Sequence, residues 1–253
     1  MNLTAIMQPT FFPWIGYFDL IDQVETFVFF DDVQLVKRSW QVRNRIKSAN
    51  GELFLTIPIK KNKNRDELLI SEAEIAYDEN WQNKHLKNIE SAYKKAYYFD
   101  SVFGFLCAHY QKKHESLALF NEDFITGVAV NIGINTSFNR SSSLEGVQGI
   151  KDERLAAICK KLSADEYISP QGSAVYIEAE SAGGKLTEEG IALYYHFYRH
   201  PGYRQLYGEF VPYMGIVDLL FNEGFDNALA IIRSGRQKKM HFEEYREQFL
   251  KSY

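Results

Sequence analysis

Two adjacent carboxylates, Asp31 and Asp32, follow a short apolar stretch of the chain and are the first candidates for chemistry. Residues 27–30 are apolar at every position, which predicts a strand buried on both faces. Successive side chains of a strand point to opposite sides, so we expect one carboxylate to face a pocket and the other to have a structural part. A pocket-facing carboxylate beside cations stays charged and could act as a general base.

A cationic stretch follows directly, because residues 37–47 hold five basic side chains with Trp40 among them. Arginine and lysine beyond a strand end can bind phosphate through charge-assisted hydrogen bonds. The same stretch could be a solvated charged loop, and both interpretations are open. The candidate binding residues here are Gln34, Lys37, Arg38 and Arg43.

Further candidates follow other predicted strands and turns, and their side chains suit contacts with a phosphate, a sugar or a base. They are Gln8, Trp14, Arg140, Ser142, Ser169, His200, Tyr203 and Gln205. His200 is an alternative general base. The carboxyl ends of parallel strands meet at one edge of a sheet, so we expect many of these residues to converge there.

The elements that would position them alternate at both ends of the chain around a helical middle. Strands are predicted at residues 3–7, 26–30, 53–59, 68–75, 135–140, 165–169 and 192–200, and Asn50-Gly51 predicts a hairpin turn. Apolar residues at helical spacing predict three successive helices, which form a helical layer or subdomain at residues 78–133. We therefore expect one α/β domain over residues 1–253, Rossmann-like, with a mainly parallel sheet.

Three residues carry local expectations of their own. Gly16 is expected to let the chain turn tightly before a helix at residues 17–23. His85 falls on the apolar stripe of its helix, which favours a packed histidine over a catalyst. Asp218 lies in an apolar helix, where a buried carboxylate needs a partner, so it either anchors a loop or belongs to a site.

Composition narrows the class of protein. The chain has 253 residues, a formal net charge of −4 and 15% aromatic residues, which argues against a general nucleic-acid binder and for an aromatic core or pocket. Cys107 and Cys159 lack zinc-ligand spacing and are expected to be buried free thiols, and no metal site is predicted. The N-terminus does not resemble a signal peptide, and no apolar run could span a bilayer, which indicates a cytoplasmic protein.

Long motifs resemble one known family. MQPTFFPWIGYFDLI and FVFFDDVQLVKRSWQVRNRI, followed by NRSSSL, YISPQG and GEFVPYMGIVDLLFNEG, are similar to the WbqC-like family of bacterial proteins over nearly the whole chain. The resemblance implies a part in O-antigen or other surface-polysaccharide biosynthesis. It also suggests amide-forming modification of an amino sugar.

The leading hypothesis is therefore a transferase that places an acyl or aminoacyl group on the amine of a nucleotide-linked sugar. No GxSxG, Walker A, GxGxxG or HExxH motif is present, which supports the alternative of a non-catalytic nucleotide-sugar-binding or scaffolding protein. The opening strand–loop–helix outline supports a third alternative, an adenylate-forming or nucleotidyltransferase-like enzyme, although the HxGH-type histidine pair is absent. The donor, any cofactor and the oligomeric state stay open, with a homodimer among the alternatives.

Overall fold

The computed structural model describes residues 2–36, 38–61, 67–78 and 80–250. Its strands are β1 Leu3–Met7, β2 Thr26–Phe29, β3 Arg43–Ser48, β4 Gly51–Thr56, β5 Ser137–Arg140, β6 Glu166–Pro170, β7 Ala192–His196 and β8 Met240–His241. Its helices are α1 Ile15–Asp22, α2 Trp81–Tyr93, α3 Phe99–Gln111, α4 Leu117–Asn131, α5 Lys151–Lys161, α6 Ala174–Ile177, α7 Gly184–Glu188, α8 Ile216–Ser234 and α9 Phe242–Tyr245.

The main sheet is built around the first strand of the chain. Within the described residues it has six strands in the order β5-β2-β1-β6-β7-β8, and all neighbours are parallel except β7 and β8. β1 pairs with β2 on one side and with β6 on the other. The predicted Rossmann-like α/β fold with a mainly parallel sheet is confirmed.

Helices cover both faces of this sheet, because its central strands are apolar on both sides. Phe27 and Phe29 of β2 pack into a large core with α1, α2, α3, α4 and α8, whereas Val28 points into a second core with α5, α6 and α7. The alternation follows the period of two of a strand. α2, α3 and α4 follow one another without an intervening strand, as their apolar periodicity predicts.

A separate two-stranded hairpin, β3 and β4, lies between β2 and the helical stretch. Ser48 pairs with Gly51, whose φ of 98° suits glycine, so the predicted Asn-Gly hairpin is confirmed. The second half of the basic stretch at 37–47 is therefore a strand. The strand predicted at 68–75 is wrong, because this stretch forms turns with isolated bridges to Gln34, Ile59 and Ser116.

The role of Gly16 differs from the tight turn that was predicted. Gly16 lies inside α1, and a Cβ atom there would come within 2.2 Å of the Trp14 ring, so its role is to make room for that ring. The apolar helix predicted around Asp218 is the first part of α8, which runs from Ile216 to Ser234 with a kink at Gly224.

Two further expectations have an outcome. Cys107 and Cys159 are both free, but only Cys159 is fully buried. No helix in the described part of the chain is long and apolar enough to cross a membrane.

Candidate functional site

An open cleft lies where three parallel strands end. Gln8 follows β1, Asp32 follows β2 and Pro170 ends β6, and all three line a cleft of about 1040 Å³. After β1 the chain forms β2 and then β5 on one flank of β1, and it later forms β6 on the opposite flank. This reversal is the topological switch point at which open α/β sheets bind their ligands.

The two adjacent carboxylates have different surroundings. The Asp31 side chain is 2% exposed and accepts hydrogen bonds from the Ser142 backbone N–H at 2.9 Å and the Ser142 hydroxyl at 2.6 Å. Asp32 lines the cleft, accepts a hydrogen bond from the Ser141 hydroxyl at 2.5 Å and is ion-paired with Arg154. Asp31 thus holds the chain after β5 against the end of β2, while Asp32 faces the open space.

The start of α5 supplies positive charge to the cleft wall. Gly149, Lys151 and Arg154 line it, and a helix N-terminus attracts anions through its free N–H groups and its dipole. Gly149 has φ of +98°, and a Cβ there would come within 3.0 Å of Glu153. Position 149 therefore requires glycine. Its backbone lines the cleft just before the helix begins.

Buried amides hold the loops on the opposite wall. The Gln41 side chain donates a hydrogen bond to the Gln8 side-chain oxygen. The Asn121 amide donates to the carbonyl of Pro9 at 3.1 Å and to that of Gln41 at 2.9 Å. The two loops are therefore fixed to α4, and the amides of Gln8 and Gln41 keep their places in the cleft.

An aromatic rim borders the same wall. Trp40 lines the cleft, is 52% exposed and stacks on Phe54 with ring centroids 6.5 Å apart. Tyr176 lines the side formed by α6. Accessible rings beside a cleft with polar groups are surfaces on which a base or sugar can stack.

Two sequence candidates line a second cavity beside the start of β3. Gln34 lines the cleft, but Arg38 and Arg43 line a separate, largely apolar cavity of about 360 Å³. The Arg43 guanidinium lies over the Phe54 ring at 5.0 Å. Lys37 lies outside the described residues.

Another group of candidates packs as an aromatic cluster near the start of α8. The ring of His200 lies 6.2 Å from that of Trp14 and 6.1 Å from that of Tyr203. Burial lowers the pKa of His200, whose Nδ1 bonds the Pro201 carbonyl at 2.9 Å. None of these residues, nor Gln205, lines the cleft described above.

Asp218 holds one side of this cluster through hydrogen bonds. Its carboxylate accepts hydrogen bonds from Tyr93 at 2.7 Å, Tyr203 at 2.9 Å and Gln205 at 2.8 Å. Burial raises the pKa of Asp218 above its ordinary value, although the three bonds oppose the rise. The geometry is that of an anchor that joins α8 to α2 and to the loop at 203–205.

The remaining candidates lie on or beside the sheet. Ser169 is fully buried within β6, and Ser142 bonds Asp31. Arg140 is ion-paired with the buried Glu122 and lines a pocket of about 540 Å³ at the β5 edge. Burial raises the pKa of Glu122 to about 7, against the effect of Arg140.

Sequence reasoning missed part of the cleft wall. The residues it did not select are Thr10, Trp40, Gln41, Lys151, Arg154 and Tyr176. A signal existed for α5, because Gly146 and Gly149 come just before Lys151 and Arg154 in the sequence. The order of strands, which brings that helix to the end of β1, cannot be read from periodicity.

Taken together, the cleft has the groups to bind a phosphorylated ligand and to accept a proton. Lys151 and Arg154 suit an anion, the amides of Gln8 and Gln41 suit hydroxyl groups, and Asp32 is a carboxylate within their reach. Among the described residues, the one group of three metal-ligating side chains lies elsewhere, at α3 and α4.

Comparison with known proteins gives two matches. The model of the WbqC-like protein family matches residues 8–230. The "Uncharacterized protein Rv1507c" of Mycobacterium tuberculosis (strain ATCC 25618 / H37Rv) is 36% identical over 225 residues, which cover 88% of this chain and 95% of the mycobacterial protein. No solved structure matches the chain.

Proposed function

The chain belongs to the WbqC-like protein family, and we propose that it is an enzyme of surface-polysaccharide biosynthesis that modifies a nucleotide-activated amino sugar. The observation that carries the proposal is the switch-point cleft, which is lined by Asp32, by its ion-pair partner Arg154 and by Lys151. The polysaccharide context is the one implied by the family resemblance. A carboxylate and two cations around one cleft are what a phosphorylated amine substrate requires.

The cleft is large enough for a nucleotide sugar. Its volume of about 1040 Å³ lies at the upper end of the range of roughly 300–1,000 Å³ for ligand pockets. We place the pyrophosphate at the start of α5, between Lys151 and Arg154, and the base on the exposed Trp40 ring. The sugar then lies against Gln8 and Asp32.

The proposed reaction is acyl or aminoacyl transfer to the sugar amine. The amine nitrogen attacks the carbonyl carbon of the donor and forms the new C–N bond. The bond from that carbon to its leaving group breaks, and the electron pair departs with the leaving group. Asp32 takes the proton that the amine loses, and Arg154 keeps Asp32 in place through their ion pair.

Ligand-induced thermal shifts test the binding part of the proposal. Melting curves of the full chain with dTDP-, UDP- and GDP-amino sugars should show stabilisation by at least one of them. Charge-assisted contacts to phosphate are worth roughly 1.5–3 kcal/mol each, so Lys151→Ala should weaken binding by about tenfold or more. Lys161→Ala, at the other end of the same helix, is the control and should bind like the parent.

A second variant separates an enzyme from a binding protein. Asp32→Asn keeps the shape of the side chain and removes its charge, so it should still bind the nucleotide sugar but lose most of the transfer rate. Its melting temperature should be recorded, because Asp32 also contacts Ser141. Full transfer activity in this variant would remove the proposed base, and absence of a shift with every sugar would remove the proposed substrate.

A further inference from the structure

Three metal-ligating side chains meet away from the cleft, where α3 turns into α4. His109 lies in the last turn of α3, His114 in the connection, and Asp123 in α4. His109 Nδ1 is 3.0 Å from Asp123 Oδ2, and His114 Nε2 is 3.4 Å from the same oxygen. The three ligand atoms all lie within 4.8 Å of one another, and no other such group occurs among the described residues.

These separations are close to those of a tetrahedral metal site. Zinc binds histidine nitrogen and carboxylate oxygen at about 2.0–2.2 Å, which places neighbouring ligand atoms roughly 3.3–3.5 Å apart. The separation of 3.4 Å between His114 Nε2 and Asp123 Oδ2 falls in this range, and that of 3.0 Å between His109 Nδ1 and the same oxygen is somewhat shorter. The third, between the two histidine nitrogens, is no more than 4.8 Å, and His114 lies in the connection between α3 and α4, outside both helices.

The ligand atoms are held but not saturated. The His109 side chain is 3% exposed and is packed by Phe120, with ring centroids 4.2 Å apart. His114 Nε2 is buried, and its contact with Asp123 Oδ2 at 3.4 Å is too weak to count as a hydrogen bond. A buried histidine nitrogen whose one polar contact is this long is incompletely satisfied, and a metal ion would satisfy it.

A cation already occupies the open side of the carboxylate. Lys112 Nζ lies 2.9 Å from both oxygens of Asp123, and its side chain is 55% exposed. Exposed ion pairs of this kind contribute little to stability, so a stronger cation can displace the ammonium group. His114 and Asp123 also line the pocket of about 540 Å³ that holds Glu122 and Arg140.

We infer that His109 Nδ1, His114 Nε2 and Asp123 Oδ2 bind a divalent transition-metal ion of the Zn²⁺ class. The ion joins the end of α3 to α4 and leaves a fourth coordination position toward the pocket. Three protein ligands with one open position are the arrangement of zinc sites that bind water or a small ligand. Its spacing in the chain resembles no zinc motif, so periodicity could not reveal it.

Metal titration of the full chain tests this site. After dialysis against a chelator, the protein is titrated with Zn²⁺ by calorimetry and with Co²⁺ by visible absorption, which reports tetrahedral coordination. We expect one ion per chain and a raised melting temperature. His114→Ala and Asp123→Asn should each lower the affinity by at least the roughly 10–100-fold that loss of a supporting contact costs. His241→Ala, a histidine 38% exposed beside Glu243, is the control and should leave binding unchanged.

Lys112→Met distinguishes a metal site from an ion-pair network. A site that the ammonium blocks should bind Zn²⁺ more tightly in this variant than in the parent, while an ion-pair network should only lose stability. The inference is overturned if the parent takes up no Zn²⁺, or if it takes up no more than the variant that lacks both His114 and Asp123. It is also overturned if Lys112→Met leaves the affinity unchanged.

Discussion

At the scale of single residues, the role of each buried polar side chain in this protein depends on the groups to which it is hydrogen-bonded. His85 is 5% exposed, accepts a hydrogen bond from the Thr56 backbone N–H at 3.1 Å and bonds the Tyr110 hydroxyl at 3.0 Å. It joins α2 to the hairpin strand β4. His85 is therefore a packed histidine, as its position on the apolar stripe of the helix predicts.

We predict that His85 makes the protein sensitive to mild acid. Burial lowers its pKa to about 4 from an ordinary 6.5. The folded state therefore disfavours protonation of His85. The contribution of neutral His85 to stability is complete above pH 6.5 and is lost as the pH falls toward 4. A shift of this size corresponds to about 3 kcal/mol of unfolding free energy.

His85→Gln should remove this pH dependence, because glutamine does not titrate. Urea unfolding at pH 7 and pH 4.5 would show the parent losing more stability than the variant on acidification. A pH-independent difference between the two proteins would show that His85 is not the group responsible.

At the scale of elements, backbone geometry is matched to ring packing. Gly224 interrupts α8 with φ 77° and ψ 171°, a region open almost only to glycine. A Cβ there would come within 2.6 Å of the Tyr98 ring, which comes just before α3. The kink therefore lets α8 pass closely over the start of α3.

Gly224→Ala should destabilise the protein by at least about 1–3 kcal/mol, the cost of a strained backbone residue, with the ring contact adding to it. Gly104→Ala is the matched control, since Gly104 is exposed in α3 and its Cβ would meet nothing within 4 Å. This control should gain roughly 0.5–1 kcal/mol. Equal effects of the two substitutions in chemical denaturation would contradict the argument.

At the scale of the whole molecule, one buried carboxylate joins distant parts of the chain. Asp19 in α1 is fully buried and accepts hydrogen bonds from His196 Nε2 at 2.8 Å and from Arg236 Nε at 2.8 Å. His196 ends β7, and Arg236 follows α8. The first helix, the far side of the sheet and the C-terminal region are thus fastened at a single side chain.

Asp19→Ala should cost about 1–3 kcal/mol, because the buried His196 loses its hydrogen-bond partner, while Arg236 keeps its ion pair with Asp22. Asp226→Ala, an exposed position in α8, should change the unfolding free energy by less than about 0.5 kcal/mol. Thermal and urea unfolding would measure both. Similar losses at the two positions would show that the burial of Asp19 contributes nothing special.

Sequence reasoning succeeded where a local signal was strong and failed where distant segments meet. The apolar strand at 26–30, the hairpin at Asn50-Gly51 and the helices between residues 78 and 133 could all be predicted, because each depends on spacing along the chain. The stretch at 68–75 misled it, since an apolar run can cover a core as turns without joining a sheet.

The candidate site could be predicted only in part for the same reason. Gln8, Asp32 and Gln34 were selected because polar residues at strand ends gather at a sheet edge. Lys151 and Arg154 belong to a helix that reaches the cleft only through the order of the strands. Trp14, His200 and Tyr203 also follow predicted elements, but aromatic packing gathers them in another place.

The position of β1 has a consequence for how the protein is made. The ribosome completes this strand long before β6, because the pairing of the two strands joins Leu3 to Glu166. At roughly 5–20 residues per second, the emerging chain waits on the order of 10 s for that partner. Throughout this interval one edge of a central strand that is buried in the folded protein has no neighbour, and open edges of this kind pair with other chains. Nascent copies are therefore expected to depend on chaperones, in proportion to how slowly residues 8–165 are translated.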